Sequence, residues 1–230
     1  MRTVGGAVLR LKRQRAGKRG AAGQGATRGW LPRLWLFSDP LRLPDPRAAA
    51  AALPRGAGVV ARGVAPALLP ALARQRRGRG PLLLGGDARG ALRLRAGLHW
   101  PDRPAGSGLL AFLAARRAGA PWALLSCAAH GPAGLRRARR LGADLVFLSP
   151  AFPTPSHPGA PSLGPWRWAA LARRAGRPVA ALGGIVPGTA GRLPPPCCGL
   201  AAITALLRPG HSVSMKSRSS QAEHCPVQSA

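Results

Sequence analysis

Eight short apolar runs between residues 34 and 203 constrain this chain more than any other feature. They are Leu34 to Phe37, Val59 to Ala61, Pro81 to Leu84, Gly97 to Trp100, Trp122 to Ser126, Leu145 to Ser149, Val179 to Leu182 and Leu200 to Ile203. Runs of about four to six residues are too short for buried helices and match strands covered on both faces. Between several of them lie Ala/Leu/Arg segments with helical spacing, such as Ala65 to Arg77 and Pro132 to Leu141. The second segment meets Gly142, where a helix C-cap would fall. Eight buried strands alternating with helices predict a (β/α)₈ TIM barrel, with a doubly wound open sheet as the runner-up.

Three segments follow from local composition. Residues 1–33 carry basic residues, no acid, and much Gly and Ala, which predicts a disordered basic arm. Residues 34–207 hold the barrel. Residues 208–230 turn Ser-rich, and Pro209-Gly210 interrupts where a closing helix should begin. The barrel is therefore expected to lack its final helix, and the tail to be disordered.

Charge raises a second class of function. Thirty-five Lys and Arg against six Asp and Glu give a formal net charge of +29. Only Lys12, Lys18 and Lys216 are lysines; the rest are arginines spread along the whole chain. With no Tyr and 4% aromatics, base stacking has little to work with, so specific nucleic-acid recognition is not expected. No apolar stretch approaches the length of a membrane span. Four cysteines with no Cys-x-x-Cys spacing read as free thiols in a reducing compartment, and the expected location is cytoplasmic. Oligomeric state is not legible.

In a barrel of this kind the chemistry sits at the C-terminal strand ends, and phosphate docks after strands seven and eight. Strand seven ends in Gly183-Gly184, where the backbone can approach an anion with no Cβ in the way. Strand eight ends at Thr204, and the loop after strand six offers Thr154, Ser156 and His157. These three loops are expected to form one phosphate site. His130 follows strand five and could carry a proton. His99 is expected to hydrogen-bond inside the barrel, Cys127 to pack, and Cys197-Cys198 to hold no zinc.

The residues also resemble a known family. Leu145 to His157, with Ser149-Pro150-Ala151-Phe152-Pro153-Thr154-Pro155-Ser156, is similar to its strand followed by G/S-P-V-F-P-T-x-[ST]-K. Ala180 to Ile185 resembles its V-A-I-G-G-I, and Gly199 to Leu206 its G-V-A-V-V-S-A-I. Gly97-Leu98-His99 and Leu36-Phe37-Ser38-Asp39 resemble two earlier strands. The family is thiamine-phosphate synthase together with its relative thiazole tautomerase (TenI). The resemblance covers about residues 34–207 and implies small-molecule phosphate substrates. It implies thiazole phosphate on Gly183, Gly184 and Thr204, with Thr154 and Ser156 along the thiazole. His157 stands where the family has Lys and supplies less positive charge at neutral pH.

For the coupling reaction the resemblance implies a pyrimidine pyrophosphate and Mg²⁺. Arg62 remains of the Q-x-R-x-K element, Asp87 matches one metal carboxylate, and Asp102 is the candidate for the second. Three functions stay open: coupling thiazole phosphate to the pyrimidine, tautomerisation through His130, or an inactive relative that keeps the phosphate site.

Overall fold

The computed structural model describes residues 31–102, 107–154, 159, 161–206 and 224–225. Eight parallel strands form a closed barrel. They are β1 (Leu34–Phe37), β2 (Gly58–Ala61), β3 (Leu82–Gly85), β4 (Gly97–Trp100), β5 (Leu125–Ala129), β6 (Leu145–Leu148), β7 (Val179–Leu182) and β8 (Cys197–Ala202). Helices α1 (Arg47–Ala52), α2 (Leu69–Arg76), α3 (Ala88–Leu94), α4 (Leu109–Arg117), α5 (Pro132–Arg140), α6 (Gly164–Arg173) and α7 (Pro187–Ala190) separate them. The protein is thus a (β/α)₈ barrel. Among the described residues no helix follows β8. Closure does not need one: β8 pairs directly with β1, Ala201 opposite Trp35 and Ala202 opposite Leu36.

The side-chain alternation of the strands divides the core in two. Trp35, Phe37, Val60, Leu83, Leu145, Phe147, Ala180 and Ala201 fill the barrel interior. Their alternate neighbours, such as Leu36, Val59, Leu84, Leu98 and Val146, face the helices. Small residues make room for large ones: a Cβ on Gly58 would stand only 2.2 Å from the Trp35 ring. Each helix covers the strands with a narrow apolar stripe. In α5, Gly134, Leu135 and Ala138 are buried while Arg136, Arg139 and Arg140 are exposed, Pro132 opens the first turn, and Gly142 at φ +64° ends it.

The sequence boundaries need three corrections. Strand five begins at Leu125 rather than Trp122, because Trp122 packs against Phe112 of α4. Strand eight begins at Cys197. The ends are also not wholly separate from the body. Leu31 is buried against the inner core, and Leu31–Pro32 pairs antiparallel with His224–Cys225. Residues 1–30, 207–223 and 226–230 lie outside the described residues, and with them the expectation of disorder there.

Candidate active site at the barrel mouth

The first strand ends in a buried carboxylate. Asp39 Oδ1 accepts from the backbone amides of Leu41 and Arg42 and from Arg42 Nε, at 3.2, 3.2 and 3.3 Å. Its Oδ2 accepts from Arg42 Nη2 at 2.9 Å and Arg62 Nη2 at 2.7 Å. The Arg42 hydrogen bond, opposed by burial, holds the Asp39 carboxyl far below the usual carboxylate range. The neighbouring Ser38 clamps the backbone of the same arginine: its Oγ donates to the Arg62 carbonyl at 2.8 Å and accepts from the Arg62 amide at 2.6 Å. Arg62 is therefore fixed at the end of β2, with its side chain 45% exposed. Sequence reasoning found Arg62 and missed Asp39. The available signal was the adjacency of strands one and two, which brings the residues after Phe37 beside those after Ala61.

One layer below, His99 of β4 is buried and shares a 2.9 Å hydrogen bond with Ser126 Oγ. Its ring meets Phe37 and Phe147 edge-on. Burial, then the charge of Arg62, pushes its pKa down to about 3, so it is a neutral interior group as expected.

The proposed metal carboxylates are engaged elsewhere. Asp87 is the N-cap of α3, accepting from the Gly90 amide at 2.8 Å. Asp102 is ion-paired with Arg137 Nη2 at 2.6 Å, and the same guanidinium holds the Asp102 carbonyl and the Ala128 carbonyl. Of the described carboxylates, Asp39, Asp45, Asp102 and Asp144 are each bonded to arginine. A Mg²⁺ site wants anionic oxygens free to face the ion. Asp87 has one oxygen capping a helix and Asp102 is already neutralised, so this pair does not fit a resident metal.

At the end of β5, His130 is exposed and its Nδ1 donates to the Ser149 carbonyl at 2.9 Å, with Ser149 Oγ at 3.3 Å. That bond places the neutral imidazole's lone pair on Nε2. Cys127, by contrast, lies on the outer face of β5 in the helix-facing core, where burial pushes its thiol up to about 11.

Gly183 and Gly184 have positive φ, +89° and +65°. The space a side chain would fill is not open to a ligand, contrary to the sequence expectation. A Cβ on Gly183 would meet Pro150 Cα at 2.9 Å, and one on Gly184 would meet Pro153 O at 2.5 Å and Phe152 Cβ at 2.8 Å. The glycines are required because the β6–α6 loop lies against them. Ala151 and Phe152 donate to the carbonyls of Leu182 and Gly183, and Thr189 Oγ1 donates to the Gly184 carbonyl. The Gly183 and Gly184 amides have no acceptor among the described residues. Thr204 is exposed at the end of β8 and Thr154 half-buried in the β6–α6 loop. Ser156 and His157 lie outside the described residues.

These strand ends bring Arg62, after β2, and the Gly183–Gly184 turn, after β7, to the same C-terminal end of one barrel. The sequence model of the family described as thiamine monophosphate synthase matches residues 66–205, and the chain belongs to this thiamine-phosphate synthase/TenI family. The fold is shared with thiamine phosphate pyrophosphorylase from Pyrococcus furiosus, 20% identical at a TM-score of 0.56, covering 76% of this chain and 86% of that one. It is shared as well with FabK from Thermotoga maritima, 14% identical at 0.56, covering 77% and 59%. A search of curated proteins gave no match. No described helix is long and apolar enough to cross a membrane.

Proposed function

We propose that this chain binds thiazole phosphate at the β6–β8 side of the mouth and couples it to a pyrimidine pyrophosphate to form thiamine phosphate. The observation that supports the reading is a pair of strand ends on one barrel that each carry N–H donors of the kind an anion takes. Arg62 stands at the end of β2, and the Gly183 and Gly184 amides, which have no acceptor among the described residues, stand at the end of β7. A tautomerase acts on one phosphate ester and needs one such end; coupling needs two. In the coupling step the bond from the pyrimidine methylene carbon to pyrophosphate oxygen breaks, and the thiazole nitrogen forms the new bond to that carbon. Pyrophosphate leaves with the electron pair, and a guanidinium at Arg62 would stabilise its charge. Thr204 and Thr154 supply hydroxyls on the thiazole-phosphate side. Small-molecule phosphates are thus the partners; specific nucleic-acid recognition is not part of this reading.

A second reading rests on His130. Its Nε2 lone pair at the mouth suits a proton carrier, as tautomerisation requires. The two are separated by incubating the purified chain with thiazole phosphate and the pyrimidine pyrophosphate in buffer containing Mg²⁺. Thiamine phosphate formation supports coupling. Its absence, in a protein that still binds thiazole phosphate, leaves the tautomerase or an inactive binder.

A further inference from the structure

Arg62 uses one of its five N–H donors, the Nη2 bond to Asp39, on the described side chains around it. The carboxylate that takes that bond is itself immobilised. Two loop amides and the Arg42 guanidinium fix Asp39, which is 7% exposed, while Arg62 reaches outward from it. Backbone placement is fixed independently by the Ser38 clamp. The end of β3 leaves room for the turn: a Cβ on Gly85 would already stand 3.2 Å from Arg62 Cα. A long, flexible cation is thus held by one corner, with its remaining donors presented at the mouth. Two guanidiniums on one carboxylate leave the cluster with a net positive charge.

We infer that Asp39 is a positioning residue that orients Arg62 as the receptor for the diphosphate group of a substrate. The inference rests on the coupling reading for its biological ligand, and its physical content is binding of a diphosphate anion. Two roles for Asp39 make opposite predictions. If it only neutralises arginine, removing its charge strengthens anion binding. If it positions Arg62, removing it weakens binding although the site becomes more positive, because the guanidinium loses its preorganisation.

The test is titration of the full chain with inorganic pyrophosphate, without metal, at about 150 mM salt, followed calorimetrically. Asp39→Asn should weaken binding by about tenfold, a loss of about 1.4 kcal/mol. Arg62→Ala should weaken it at least as much. The double variant should bind no more weakly than Arg62→Ala, since Asp39 acts through that residue. Tighter or unchanged binding in Asp39→Asn overturns the inference, as does an additive loss in the double variant. Should Asp39→Asn fail to fold, Arg42→Gln loosens the same carboxylate from the rim; a loss of about threefold supports positioning, and no loss overturns it. Failure of the parent reading looks different: no thiamine phosphate is formed, yet pyrophosphate binding and its dependence on Asp39 persist.

Discussion

On the β1–β2 side of the mouth the polar groups are side chains, Ser38, Asp39 and Arg62, whereas on the β7–β8 side they lie largely on the main chain of Gly183 and Gly184. The first side is a charge cluster anchored in a loop. Its arginine can be altered with little effect on the barrel, because the Arg62 side chain is 45% exposed, whereas Ser38 and Asp39 beneath it are buried. The second side is continuous with the packing of the β6–α6 loop, so a change there alters fold and site together. One mouth therefore has a tunable end and a rigid end.

The largest expected effect tests the rigid end. Gly184→Val places a branched side chain at positive φ against Pro153 and Phe152 and should cost about 3 kcal/mol or more in stability. A thermal melt reads it. A variant that melts like the parent would show that the loop yields, and would remove the contrast between the two ends. Next is Arg62→Ala, which should lower thiamine phosphate formation by about 10²-fold while leaving the melt within about 0.5 kcal/mol of the parent. Comparable losses of stability and turnover would make Arg62 a structural ion pair.

A third prediction concerns acid. The buried His99 titrates near 3, whereas the unfolded chain's histidine titrates near 6.5. Between those values the unfolded state binds more protons, so stability falls as pH drops through the window, by up to about 1.4 kcal/mol per pH unit. It is fully present above pH 6.5. His99→Phe should flatten the dependence of the melt on pH in that range; an unchanged profile would locate the acid sensitivity elsewhere. Asp39, held below the ordinary carboxylate range, adds its own loss only under more acid conditions, below about pH 4. The smallest effect is at the exposed Thr204. Thr204→Ala should weaken thiazole-phosphate binding about threefold with no change in the melt, since one neutral hydrogen bond contributes on the order of 0.5–1.5 kcal/mol.

Much of the barrel was legible because a strand buried on both faces leaves a short apolar run, and all eight runs overlap a strand. Helix α5 was legible for a similar local reason, with Pro at its start and Gly just beyond its end. The site was less legible because its decisive contacts are not local. Asp39 and Arg62 are 23 residues apart, and nothing near either residue announces the other. Asp87 looked like a metal ligand, but its position just before α3 gives its oxygen a closer donor in the Gly90 amide. Gly183 and Gly184 were singled out for the wrong reason: a glycine pair signals a close approach, and sequence alone does not say whether ligand or loop approaches. Asp102 could not be read either, since its partner Arg137 is one of many arginines in α5.

The Trp35–Gly58 contact carries an evolutionary consequence. Trp35 is fully buried in the barrel interior, its indole N–H donating to the Pro32 carbonyl at 2.7 Å. The adjacent strand accommodates the ring only because position 58 has no side chain. Neither residue can change size alone without a cavity or a clash. In an alignment of relatives the two positions should covary, a bulky residue at one accompanying glycine at the other. Drift on β1 is thereby tied to drift on β2, even in lineages where the barrel mouth has been free to diverge.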